Sequence, residues 1–420
     1  MMKLLKLILS ILIASILAPS VLSALSMQKM VDLALNNTYK LEAQRYNVQK
    51  ARSDIKNAYA SFLPSINFGY LYSYNAPQDS LAYQQNNLQL TSSFNIFNGL
   101  KDYYGLMIAK SNYKQELNTL ESTKNDLVLM TKIAYLKALE NREALKISKD
   151  SIDLLNVQLK TAKEFYKQGI ADKSDVLSIQ VNIANAQMQN LKTKSDLDAN
   201  LNTLRVLTGT LIDPAVLEDI TVPTFSIDRD ELMKNIYKNN ISLQQFNTSE
   251  EIIRQNINLS RSGYYPKINI STSNFIALSD SRDNNILQAA ANQNQVRLSL
   301  TWNFLDATKS FYSSQALTAS LLSLNSAKVD LKEDILLQAT SLINALNIAK
   351  AQINLATVAL AQAKENYRIV SNKYKQQVAR YVELLDSELL LTNAKSRLSV
   401  AKYELAISIA RIYHLENTQF

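Results

Sequence analysis

Residues 65–74 read Ser-Ile-Asn-Phe-Gly-Tyr-Leu-Tyr-Ser-Tyr. Ile66, Phe68, Tyr70, Tyr72 and Tyr74 take the even positions, and four of the five odd ones are small or polar. Such a period of two marks a strand with one apolar face. Three further segments alternate the same way. In 88–97, Leu88, Leu90, Phe94 and Ile96 oppose Gln89, Thr91, Ser93 and Asn95. In 267–276, Ile268, Ile270 and Ile276 oppose Lys267, Asn269, Ser271 and Ser273. In 296–304, Val296, Leu298, Leu300, Trp302 and Phe304 oppose Arg297, Ser299, Thr301 and Asn303. Each is about ten residues, the length of a transmembrane β-strand. Aromatic ends (Tyr72, Tyr74, Phe94, Trp302) suit a membrane interface. Polar stretches, about 75–87 and 277–295, are expected to be the hairpin loops. A soluble amphipathic hairpin lying on helices has the same pattern, so the compartment must be read elsewhere.

The N-terminus supplies it. Lys3 and Lys6 precede an apolar run over residues 7–18, then Pro19 and small residues at 20–24. That order is expected of a secretory signal, cleaved after Ser23 or, as a near alternative, Ala24. The run is short of the ~20 residues a membrane-spanning helix needs. Composition narrows the chemistry. The chain has 420 residues, no cysteine and one histidine, His414, which excludes disulfides, thiolate nucleophiles and histidine-cluster metal sites. No Gly-x-Ser-x-Gly, Gly-x-Gly-x-x-Gly or Walker-type loop occurs. No enzyme activity, cofactor or metal is expected. The formal charge of +8 comes from 45 basic residues dispersed among 37 acidic ones. With an export signal, nucleic acid is not an expected partner.

Helix breakers divide the rest. Neither Gly nor Pro occurs between Gly105 and Gly169, or after Pro266. Such gaps permit very long helices, since an interior proline costs about 3 kcal/mol and a glycine about 1. Apolar residues recur every seven positions at Ala138, Leu145, Ile152, Leu159 and Tyr166, and again at Ala339, Leu346, Ile353, Leu360, Tyr367 and Tyr374. Sustained heptads predict coiled-coil packing. A helix over 100–167 would be roughly 100 Å long at about 1.5 Å per residue. The chain also repeats. Asn37, Leu41 and Pro64 match Asn239, Leu243 and Pro266 at an offset of 202, and Tyr166-Lys167-Gln168 matches Tyr374-Lys375-Gln376 at 208. The expected organisation is a signal, 1–23; a first repeat, 24–208, with hairpin 65–97, long helix 100–167 and returning helix 173–208; a linker, 209–227; and a second repeat, 228–420, with hairpin 267–304, long helix 308–375 and returning helix 381–413. Four strands cannot close a barrel, and an open edge is forbidden in lipid, so several chains must form the ring.

The signal, Ala-Ser-Phe-Leu-Pro-Ser-Ile (60–66), Asn-Ile-Phe-Asn-Gly (95–99) and Tyr-Lys-Gln-Gly-Ile-Ala-Asp-Lys-Ser-Asp-Val-Leu (166–177) resemble TolC-type outer-membrane efflux proteins. The resemblance spans essentially the whole chain after the signal. It implies an α-dominated membrane protein of mixed class, a homotrimer in which each chain gives four strands to a 12-stranded β-barrel and long helices to a coiled-coil tunnel. The implied localisation is the outer membrane, with the tunnel extending into the periplasm. The implied function is a passive exit duct for drug efflux or type I secretion. Its implied partners are outer-membrane lipid, a periplasmic adaptor and an inner-membrane pump. A non-channel exported coiled-coil scaffold is the alternative reading of the residues alone.

The resemblance also assigns sites at two turns. Gly169, Ile170 and Ala171, with Val378 and Ala379 of the second turn, match adaptor contacts. Glu383 and Asp386, three apart on a helix face, match acidic rings that form a cation-favouring gate. Ser174, Asp175 and Tyr374 match polar links that close the tip. The arginine of that link falls at Ala379, with Arg380 beside it. Asp172 or Ser174 is expected to cap the helix after the first turn. Gln377 stands where the first turn has Gly169, which leaves the geometry of the second turn open.

Overall fold

The computed structural model describes residues 25–75, 78, 83–221, 227–280 and 292–418. The expected signal, the middles of both hairpin loops and 222–226 of the linker lie outside the described residues. Among the described residues, eight long or medium helices and four strands run in the order α1 Met27–Asn37, α2 Tyr39–Ala60, β1 Ser65–Asn75, β2 Tyr83–Phe97, α3 Lys101–Lys167, α4 Lys173–Thr208, α5 Arg229–Asn239, α6 Ile241–Arg261, β3 Lys267–Asp280, β4 Asn292–Thr301, α7 Asp306–Lys375 and α8 Tyr381–Glu416. The fold is helix-dominated with one small sheet. No helix among the described residues is long and apolar enough to cross a membrane.

The chain forms two compact units. One comprises Glu42–Ser122 and Ile241–Ile335. It holds the sheet, antiparallel throughout, in the order β1-β2-β3-β4. Register sorts its two faces. Rows Ser65–Ser93–Ser271–Arg297 and Asn67–Thr91–Ser273–Gln295 are polar. Rows Phe94–Ile270–Leu298 and Ile268–Leu300 are apolar. The apolar face is bare: Phe68 and Val296 are each 72% exposed, and Ile66, Tyr70, Leu298 and Leu300 are exposed with them. Fully exposing such side chains forgoes about 1.5–3 kcal/mol each, so a face of them needs an apolar surrounding.

The hairpins run further than the alternation predicts. β2 begins at Tyr83 and β3 continues to Asp280, inside stretches expected to be loop, and β4 ends at Thr301, short of 304. Backbone pairing carries the strands on through Gln- and Asn-rich sequence, because ladder hydrogen bonds need no apolar side chain. Gly99 joins β2 to α3 with φ +70, and a Cβ there would strike the Ser262 carbonyl. Only glycine meets both demands.

The other unit comprises the described parts of Met1–Leu41, Thr123–Asn240 and Leu336–Phe420. Its core packs Met30 of α1, Tyr135 and Leu139 of α3, Leu204 of α4 and Ile407 of α8. The described part of the linker is bound down here. The Tyr135 hydroxyl lies between the carbonyls of Leu25 (2.9 Å) and Glu218 (2.7 Å). Arg142 donates to the carbonyls of Pro214 and Leu217 and pairs with Asp219. α1 and α5 begin 202 residues apart, and α4 and α8 begin and end 208 apart.

Gly99→Ala is expected to destabilise the protein by about 2–3 kcal/mol, the scale of left-handed strain plus overpacking. Gly69→Ala, whose new Cβ meets nothing nearer than 3.9 Å, should be near neutral. Thermal unfolding of both variants in detergent checks this; equal losses would refute the steric account.

Candidate functional site at the paired turns

α3 ends at Lys167 because Gly169 turns left-handed at φ +74. The N–H of Gly169 donates to Tyr166 O (3.0 Å), that of Ile170 to Phe165 O (2.9 Å), and that of Ala171 to Phe165 O (3.4 Å). The second turn repeats this bond for bond. The N–H of Gln377 donates to Tyr374 O (3.0 Å), that of Val378 to Lys373 O (2.9 Å), and that of Ala379 to Lys373 O (3.3 Å). Gln377 takes φ 65, so the missing glycine does not change the turn. The helix-ending hydrogen bonds outweigh a left-handed cost of roughly 1–2 kcal/mol for a side-chain-bearing residue. Each turn leaves one apolar residue outside, Ile170 in the first and Val378, 72% exposed, in the second. Ala379 faces inward and is buried.

Beneath the turns the four helix ends share an aromatic cluster. Ala162 and Phe165 of α3, Val176 and Ile179 of α4, Tyr374 of α7, and Tyr381 and Leu384 of α8 pack with Ala379. Phe165 and Tyr374 lie 5.8 Å apart between centroids, and Tyr374 and Tyr381 lie 6.4 Å apart. A cavity of about 440 Å³ opens beside them, lined by Asp172, Asp175, Tyr374, Gln377, Arg380 and Tyr381 among others. Burial lifts the Asp175 carboxyl above its ordinary range; Asp172 adds to this and Arg380 opposes it. Burial likewise pushes the Tyr374 phenol up, and Asp175 pushes it further. The Tyr374 hydroxyl is buried without a hydrogen-bond partner among the described residues. Thus Asp175, Tyr374 and Arg380 meet at one cavity without a direct bond between them. Ser174 is exposed and is not in the cavity lining.

The expected acidic pair starts α8. Glu383 Oε1 accepts the N–H of Arg380 at 3.3 Å, closing the helix start within the chain. Asp386 stands one turn later, also exposed. Asp172 takes the cap position of α4, but its side chain makes no capping bond, and neither does that of Ser174. The Asp172 carboxyl lines the cavity instead. Among the described residues no group of three His, Cys, Asp or Glu side chains is placed to hold a metal.

One acid escaped the sequence reading. Glu388 is 2% exposed, with Oε2 accepting from Gln158 Nε2 at 2.7 Å and Oε1 from the Ser151 hydroxyl at 3.2 Å. Its signal is positional. Tyr381, Leu384, Glu388 and Leu391 keep the spacing of a buried helix seam, so Glu388 occupies a core slot.

Against known proteins, a model of the family described as outer membrane efflux protein matches residues 30–210 and 232–418. Outer membrane protein TolC of Salmonella enteritidis is 22% identical over 378 residues, covering 87% of this chain and 76% of that protein. The outer membrane protein VceC from Vibrio cholerae superposes with a TM-score of 0.78 at 13% identity, covering 93% of this chain and 96% of that one. The CmeC outer membrane channel of Campylobacter jejuni gives 0.79 at 14% identity, covering 93% and 85%.

The matching turns predict opposite outcomes at position 377. Gln377→Gly should stabilise the second turn by about 0.5–1 kcal/mol, the relief of left-handed cost less the added freedom of the unfolded chain. Gln377→Val should destabilise it, since a branched side chain tolerates that conformation worst. Hydrogen exchange over 373–384 reads both; protection in the reverse order would contradict the shared geometry.

Proposed function

The chain belongs to the outer membrane efflux protein family, and from that premise we propose that it is a passive, trimeric exit duct with a gated tip. The single observation that carries the membrane half of this reading is the sheet. One face is bare and apolar, the other carries Ser, Thr, Asn, Gln and Arg, and both β1 and β4 have a free edge among the described residues. In hydrocarbon a free edge leaves backbone groups without partners, so further copies must pair with it. Three copies give a ring whose lumen takes the polar face, wide enough to leave an opening. A coiled-coil scaffold in water would have no use for the bare apolar face. Residues 1–23 act as the export signal, and two copies of one unit, 24–208 and 228–420, build the rest.

The tip half rests on the turns. Their common cluster fixes α3, α4, α7 and α8 against each other, and the Asp175–Tyr374–Arg380 cavity is where they would part. Glu383 and Asp386, exposed near the start of α8, would bring six carboxylates to one constriction in a trimer and favour cations. Ile170 and Val378 present matched apolar knobs suited to a periplasmic adaptor's helical tips, which would link the duct to an inner-membrane pump. Cargo is then set by that pump.

Planar-bilayer recording tests this reading. Purified protein is expected to give small, cation-preferring steps. Asp175→Ala with Tyr374→Phe should raise the single-channel current severalfold, and Glu383→Gln with Asp386→Asn should lessen the cation preference. A protein that stays soluble without detergent and conducts in none of these forms would sink the duct.

A further inference from the structure

Glu388 lies in the seam between α8 and α3, well inside the turns. Ser151 and Gln158, its two hydrogen-bond partners, stand seven residues apart on α3. Both are neutral. Glu388 has no cationic partner among the described residues; the ion pairs between the same helices, Lys137 with Glu404, Lys395 with Asp150 and His414 with Asp126, use neither carboxylate oxygen of Glu388. The titratable groups around Glu388 are phenols: Tyr367 on α7 and Tyr381 on α8. Each is raised first by burial and then by the Glu388 charge, and Tyr381 also feels Asp175 of α4. On the remaining side a cavity of about 420 Å³ separates Glu388 from α4, whose Asn182, Asn185, Gln189 and Thr193 line it without charge.

A carboxylate so placed is costly, because neutral donors offset only part of its lost hydration. The neutral acid fits better. Gln158 Oε1 is buried and unpartnered, while its Nε2 sits 2.7 Å from Glu388 Oε2. That distance is the ordinary one for O–H···O, and an amide can present either end. With the amide turned, a protonated Glu388 donates to Gln158 Oε1, and the carbonyl oxygen that lacked a partner gains one.

We propose that Glu388 is a proton-controlled lock between α8 and α3: neutral, it lets the helices pack; ionised, it draws water in through the cavity and loosens the start of α8. Burial holds this carboxyl above its ordinary value of 4.5, more strongly than Gln158 and Ser151 pull it down. An acid raised in the packed state contributes packing stability that is whole below 4.5 and is lost as pH rises through the raised value. Because α8 begins at the second turn, loosening it would also loosen the tip; that last step alone rests on the duct reading.

Hydrogen exchange of the full protein in detergent, expressed as protection factors over 381–395 and 148–162, tests the lock across a pH series. Wild-type protection should fall as pH rises above about 4.5. Glu388→Gln should hold it flat and severalfold higher at alkaline pH. Gln158→Leu, which takes the amide from both forms but leaves the ionised carboxylate with the Ser151 hydroxyl as its one remaining donor, should give a larger fall reaching higher pH, and serves if the first variant folds poorly. Wild-type protection that is independent of pH, or a fall that survives Glu388→Gln, overturns the lock. Bilayer currents run in parallel separate the two readings: pH-dependent protection without any current removes the duct and leaves the lock, and current with pH-independent protection does the reverse.

Discussion

A backbone N–H or C=O in hydrocarbon has no water to turn to, and the whole architecture depends on how four strands meet that constraint. The rows of the sheet leave no ambiguity about which face can lie against lipid, since Phe94, Ile270 and Leu298 share one side and Ser93, Ser271 and Arg297 the other. A single chain cannot satisfy its edge strands there. In the proposed duct, assembly then follows from the sheet's own hydrogen bonding, whatever else the helices do. Gly99 shows how tightly the sheet is joined to α3, because the chain leaves β2 through a glycine with the Ser262 carbonyl against it.

The helical part answers a different demand. Long helices of low amphipathicity need partners along their length, and heptad spacing provides a seam in which Ala138, Leu139, Leu346 and Ala349 are buried. A seam of small and aliphatic residues is indifferent to sliding. Polar groups at a few core slots give it register. Glu388 with Ser151 and Gln158 is one such group, and the aromatic stack of Phe165, Tyr374 and Tyr381 closes the seam below it.

Much of this was legible in the residues. Period-two alternation located all four strands, and breaker-free stretches located both long helices, because these signals are local. What escaped depended on tertiary context. Strand ends ran on into Gln- and Asn-rich sequence, since pairing is a backbone property. Asp172 or Ser174 was expected to cap α4; Asp172 holds the cap position without a side-chain bond and lines a cavity that only the folded turns create. Glu388 went unnoticed because a heptad scan that looks for apolar residues passes over the acid occupying their slot. Ala379 was grouped with Val378 as an adaptor contact, yet the same turn that projects Val378 points its neighbour inward.

The two turns carry the deeper lesson about how sequence and backbone relate. Gly169 and Gln377 differ widely in left-handed preference, yet the hydrogen bonds around them agree to within 0.1 Å. Geometry there is set by the helices that must stop, with the residue at the joint bearing a modest strain. Side chains were then free to diverge on a common frame. Asp172 and Arg380 occupy equivalent places at the same cavity with opposite charge, and Asp175 and Glu383 both stand at the third position of their helices while doing different things. Asp175 is drawn into the cavity and its carboxyl lifted; Glu383 bends back to its own helix start. Equal backbones with unequal charges share this cavity without the repulsion that two acidic turns would meet across the same space.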